Sequence, residues 1–175
     1  MQKSVRELHK RGQQILGLSF GVIFSIFLII FFILIAFIVI KEFLNAKDCT
    51  LIGIFLDNFK ADIKKSWNSQ IDSHTFRGNL PSQIKYVCFI DLLKPMKGNF
   101  ADIGQSLTVY GGKEVNAFFY PTEKACEIPV HNIDHIDIET ITRSQNPYCI
   151  DVVKGTILID VEKDLNDPLV KISYV

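Results

Sequence analysis

QQILGLSFGVIFSIFLIIFFILIAFIVI, residues Gln13 to Ile40, contains no ionisable side chain, and Phe, Ile, Leu and Val fill almost every position. Residues Ile15 to Ile40 number 26. At about 1.5 Å of rise per residue a helix of that length covers roughly 39 Å, more than the roughly 30 Å hydrocarbon core of a bilayer. The run therefore reads as a tilted transmembrane helix, and every other segment belongs to one side of a membrane or the other.

Lys3, Arg6, Lys10 and Arg11 precede the run against the single Glu7, while Lys41 and Lys47 after it are matched by Glu42 and Asp48. The positive-inside rule assigns the short basic side to the cytoplasm, which places about 130 residues outside. A cleaved secretory signal has an apolar region of about 7–15 residues and a small-residue cleavage site. This run is longer and meets Lys41-Glu42-Phe43. The reading is an uncleaved anchor, or one trimmed only at its front edge.

That front edge, Lys10-Arg11-Gly12-Gln13-Gln14-Ile15-Leu16, sets a basic pair and a glycine against the polar start of the helix. It resembles the class III signal of archaeal prepilins, in which a membrane peptidase cuts after the glycine and leaves the apolar helix on the mature chain. The resemblance implies processing between Gly12 and Gln13 by a prepilin-type peptidase. It departs from many pilins at Gly17, where a glutamate often follows the cut. Without the resemblance, Arg11-Gly12 is a basic membrane boundary with a flexible residue. The order of Arg11 to Phe43, Tyr86-Val87-Cys88-Phe89, Phe118-Phe119-Tyr120-Pro121 and Asn146-Pro147-Tyr148-Cys149 is also similar to that of uncharacterised archaeal single-span membrane-anchored proteins, which implies an architecture and no activity.

The chain thus divides into residues 1–12, a cytoplasmic basic tail or leader, residues 13–43, the transmembrane helix, and residues 44–175, one extracytoplasmic domain of ordinary size. Removing the tail's four basic and one acidic residues from totals of 19 each leaves 15 basic and 18 acidic residues, about minus three. No basic stripe tracks a phosphate backbone, so nucleic acid is not an expected partner. Membrane lipid is.

Cys49, Cys88, Cys126 and Cys149 all fall on the outer side. An even number in an oxidising compartment reads as two cystines with three possible connectivities. The expected pairing is Cys49 with Cys88, tying the membrane-proximal helix to the first strand of the head, and Cys126 with Cys149. The chain-entropy model assigns such bridges about 3 kcal/mol each. Zinc would need close pairs such as C-x-x-C, and the sequence has none.

Ile52, Leu56, Phe59, Ile63 and Trp67 recur at three- and four-residue steps among Asp57, Lys60, Asp62, Lys64 and Lys65. This spacing predicts an amphipathic helix from about Asp48 to Gln70, continuing the membrane helix with or without a bend. From Phe76 the period falls to two, and turns punctuate it. Strands are expected over Ile84–Ile90, Ser106–Tyr110, Asn116–Tyr120, Ile133–Ile141 and Leu169–Val175. Lys154-Gly155 signals a hairpin between Ile150–Val153 and Thr156–Val161. Asn68–Asn79 is the expected flexible piece, with Lys94–Gln105 second. The predicted fold class is α+β, a long N-terminal transmembrane helix continuing into an amphipathic helix packed on an antiparallel sheet of five to seven strands.

His131, Asp134, His135, Asp137 and Glu139 form the densest group of metal-ligating or acid–base residues. On a strand, His131 and His135 would share a face while Asp134 points away, a poor metal shell. A solvated edge or loop is the plainer reading. The serines lack a strained elbow, and no Walker loop, dinucleotide fingerprint or H-E-x-x-H occurs. No catalytic residue, metal or cofactor is assigned. Gly17, Gly21 and Ser25 recur every four residues and offer a close-packing face for self-association or a filament core. Phe118, Phe119 and Tyr120 form either a partner-binding patch or a strand buried on both faces.

These features describe a non-enzymatic, single-pass cell-envelope protein assembled as a pilin-like subunit of a filament or surface complex. The alternative is a monomeric anchored module whose head recognises a ligand, and an anchored hydrolase working through His131 to Glu139 stands third.

Overall fold

The structure, a computed structural model, describes residues 3–111, 114–126 and 129–175, with side chains from Phe20 onward. The fold class is α+β. One long N-terminal apolar helix, α1 (Lys3–Trp67), is followed by antiparallel sheets. The chain forms two compact units, Met1–Ala46 and Lys47–Val175.

In the first unit, every described side chain from Phe20 to Ala46 is exposed, including an unbroken series of Phe, Ile, Leu and Val. Side chains this apolar gain nothing from water, so their exposure marks an interaction surface for lipid or for another protein.

The second unit begins within α1. Ile52, Phe55, Leu56, Phe59 and Ile63 are buried there at the i, i+3, i+4 spacing of one helical face. Phe55 widens the face read from the sequence, and Trp67 falls at its rim, 38 % exposed. The strands are β1 (Asp72–Asn79), β2 (Tyr86–Phe89), β3 (Ala117–Tyr120), β4 (Val130–His131), β5 (Tyr148–Asp151), β6 (Thr156–Lys163) and β7 (Lys171–Tyr174). They form not one sheet but two, a three-stranded sheet ordered β1-β6-β7 and a four-stranded sheet ordered β4-β3-β2-β5. All of the ladder pairings are antiparallel.

One buried cluster joins the α1 residues to Val87, Phe89, Phe119 and Ile150 of the larger sheet and Ile157, Ile159 and Val161 of the smaller. The Phe59 ring lies 5.0 Å from Phe76 and 6.1 Å from Phe89, and Phe55 lies 5.8 Å from Phe119. A second cluster, Cys88, Ile90, Leu107, Phe118 and Val130, occupies the opposite face of the larger sheet. Successive strand residues point to opposite faces. Phe118 and Phe119 therefore enter different clusters, and β3 is a strand buried on both sides.

Several expected elements differ. Asn68–Asn79 contains β1, all eight residues of which are in register with β6. Ser106–Tyr110 is not a strand. It joins the end of helix α2 (Ala101–Ser106) to a 3₁₀ turn at Thr108–Tyr110, because Ser106 and Thr108 hydroxyls donate to the carbonyls of Ile103 and Gln105 and close local turns. Gly112 and Lys113 of the adjoining turn lie outside the described residues. Ile133–Ile141 is also not a strand. Asp137 Oδ1 accepts from the Thr140 amide at 3.0 Å and starts the short helix α3 (Ile138–Ile141). The hairpin at Lys154-Gly155 survives only as a bridge between Val153 and Thr156, since β5 pairs with β2 and β6 with β1.

Candidate functional site

The described residues contain one helix, Phe20–Trp67, long and apolar enough to cross a membrane by length and composition. Ser25 Oγ donates to the Gly21 carbonyl at 2.8 Å, satisfying the hydroxyl within the helix. A Cβ at Gly21 would meet nothing within 4 Å, so that backbone is open to a neighbouring helix. Gly12, Gln13 and Gly17 fall among residues 3–19, whose surroundings lie outside the described residues.

Two cystines staple the head, and their pairing corrects the sequence expectation. Cys49 bonds Cys126 with Cα atoms 5.7 Å apart, and Cys88 bonds Cys149 at 4.0 Å. Alternation along β2 decides this. Val87 and Phe89 enter the cluster that contains α1, so Cys88 between them faces the other cluster, away from Cys49. Directly opposite Cys88 in the ladder stands Cys149 of β5. Cys126, at φ 66°, ends the turn after β3 and reaches α1 instead. The bridges span 77 and 61 residues. Loops of those lengths raise the chain-entropy contribution to about 4 kcal/mol each.

The His131–Glu139 group is not gathered at one point. His131 lies in β4 with its ring 5.5 Å from Phe119. His135, at φ 69°, stacks on Trp67 with ring centroids 3.7 Å apart and planes 7° from parallel. Asp134 accepts from Asn132, Asp137 caps α3, and Glu139 pairs with Lys94 at 2.9 Å. Among the described residues no three His, Cys, Asp or Glu side chains are placed to hold one metal ion.

The geometry adds a polar network where α1 meets β1. His74 Nε2 lies 2.8 Å from Asp62 and its Nδ1 3.4 Å from Asp72, while the buried Ser66 hydroxyl donates to Asp72 at 2.7 Å. The hydrogen bond to Asp62, with the charges of both carboxylates, raises the His74 pKa above its ordinary value, and partial burial opposes the rise. The Ser66 hydroxyl, with His74 beside it, holds the Asp72 carboxyl below the usual range. The two carboxylates address different ring nitrogens, so the group is a clamp on the helix–strand corner. Its sequence signal was thin: Asp62 and His74 sit 12 residues apart on elements of different period.

Two cavities border α3 or its flanks. One of about 220 Å³ is lined by Lys94, Lys97, Glu139 and Arg143. The Lys94 ammonium is already paired with Glu139, and the Lys97 ammonium donates to the Arg143 carbonyl. The other, about 360 Å³, includes Ile90, Leu92 and the almost fully exposed Leu93.

These features define a class, a chain with one candidate span among the described residues and a cystine-stapled α+β head. The chain matches no protein-family model, and no curated protein or solved structure is significantly similar to it.

Proposed function

We propose that this chain is a non-enzymatic, single-pass cell-envelope protein, its N-terminus cytoplasmic and its head outside, serving as a pilin-like structural subunit of a surface filament or complex. The observation that carries the reading is the division of labour along α1, apolar and wholly exposed from Phe20 to Ile40 and, past Lys47, a source of core residues for the head. In this reading the head segment of α1 is a ridge packed against the sheets, held by Cys49–Cys126 close to the point where the chain leaves the membrane. Two cystines suit an oxidising compartment, which supports the outward orientation together with the basic tail. Gly17, Gly21 and Ser25 supply the helix–helix face of the assembly.

Intact mass spectrometry of the chain from its own membranes tests this. Loss of Met1 to Gly12 and recovery of the chain in sheared high-mass assemblies support the subunit reading. An intact N-terminus on a monomeric chain overturns it. The apolar cavity beside Leu93 favours the second reading, a monomeric anchored module that binds a ligand in its head.

A further inference from the structure

We propose that the end of the head nearest Lys47 is itself a lipid-contacting surface, on which Val153, Leu158 and Tyr174 rest in the phospholipid headgroup layer. The inference rests on the membrane-anchored reading. These three residues are 62 %, 41 % and 59 % exposed, and with Val175, Thr156 and Asp151 they line one shallow cavity of about 280 Å³. Single exposed apolar residues are ordinary, but a contiguous apolar group marks an interaction surface.

Bonds within the head locate the group. Gln83 donates to Asp48 at 2.6 Å, the Leu80 amide donates to the Gly155 carbonyl at 2.8 Å, and Val153 bridges Thr156 across that same turn. Register places Asn79 opposite Thr156, so the end of β1 and the start of β6 lie together, and Tyr174 opposite Ile159, three residues further along β6. The opposite end holds Ser66 bonded to Asp72 and Trp67 bonded to the Pro168 carbonyl. Between the two ends run the eight residues of β1, about 23 Å at about 3.3 Å per step.

Asp48 follows Leu44, the last large apolar residue before the head, by only four residue steps. In any backbone conformation they reach at most about 14 Å. The headgroup layer is itself about 5–7 Å deep on each side, so the tether limits Asp48 to within about 14 Å of Leu44, a distance comparable with that layer. Tyrosine suits that depth, with an apolar ring and a polar tip, and the stem of the adjacent Lys154 can snorkel. Lys47, Lys85, Lys124 and Lys154 in these segments are nearly balanced by Asp48, Glu123 and Asp151. The surface therefore calls for apolar contact with zwitterionic lipid rather than for anionic headgroups.

The test uses the full chain reconstituted in phosphatidylcholine vesicles, with and without headgroup-nitroxide lipid. Trp67, at the far end of β1, is the chain's single tryptophan and serves as the internal control. Val153→Trp is expected to lose most of its added emission in nitroxide vesicles, while wild-type Trp67 emission is unchanged. Tyr174→Trp, at an independent exposed position, is expected to behave the same way. Chain that floats with the vesicles while tryptophans at 153 and 174 escape quenching overturns this inference and leaves the anchor standing. Chain that does not float overturns the membrane reading itself. Emission that changes with protein density rather than with nitroxide assigns the surface to a second copy of the chain and likewise overturns the proposal.

Discussion

Phe59→Ala asks whether α1 is a core element of the head. The Phe59 ring is fully buried and lies 5.8 Å from Phe55, 5.0 Å from Phe76 and 6.1 Å from Phe89, so aromatic rings of α1, β1 and β2 surround it. Truncating a buried phenylalanine to alanine costs about 3–5 kcal/mol, as lost transfer energy plus the cavity left behind. Three aromatic neighbours that cannot all collapse into the gap favour the upper half of that range, and each lost ring pair contributes about 0.5–1.5 kcal/mol of its own. A loss of about 4 kcal/mol, divided by a urea dependence of about 2 kcal/mol/M, moves the midpoint by about 2 M. Urea-dependent proteolysis of the full, oxidised chain in micelles reads the shift, with Leu93→Ala as the exposed control, expected to stay within about 0.5 kcal/mol. A Phe59→Ala midpoint no further from wild type than that of the control would refute the placement of α1 in the core.

Proteolysis of the non-reduced chain should release disulfide-linked peptides joining Cys49 to Cys126 and Cys88 to Cys149; a Cys49–Cys88 peptide contradicts the facing of β2. A Cβ at Gly78 would stand 2.5 Å from the Phe55 ring, so Gly78→Ala should cost about 1–3 kcal/mol in the same assay, whereas Gly21→Ala, with open space around it, should leave the head unchanged. The His74 clamp carries a pH signature. With its pKa raised, His74 contributes stability that is complete below pH 6.5 and lost as pH rises through the folded value. Asp72, with its pKa lowered, contributes stability present above pH 3.8 and lost as pH falls through its folded value. Stability from the clamp should therefore be greatest between those limits, with an alkaline loss on the order of 1 kcal/mol for this half-buried pair, and His74→Asn should flatten the alkaline arm. An unchanged pH profile in that variant would remove the clamp from the account.

Legibility followed the range of the interactions. The helical face through Ile52, Leu56, Phe59 and Ile63 was readable because a helix repeats every 3.6 residues whatever surrounds it. Turn chemistry near Lys154-Gly155 was readable too, though not the destination of the strands on either side. Ile133–Ile141 alternates like a strand, yet Asp137 caps a helical turn there, and a side chain reaching a backbone amide three residues on overrode the pattern. Asn68–Asn79 looked flexible because Ser, His, Thr and Asn dominate it, and only its pairing with the apolar β6 makes it a strand.

The sequence by itself determined the membrane-length apolar run, the basic tail before it, the α+β class and the presence of four cysteines on one side of the span. These are properties of composition and local period, which need no partner to be expressed. Tertiary structure decided what depends on which distant segments meet: the division of seven strands into two sheets, the cystine pairing, the dispersal of the His131–Glu139 residues and the meeting of Asp62, Asp72 and His74. Cys88 shows the reason most directly. Its neighbours Val87 and Phe89 enter the buried cluster that holds the α1 residues, alternation turns Cys88 to the other face, and only the strand register sets Cys149 opposite it.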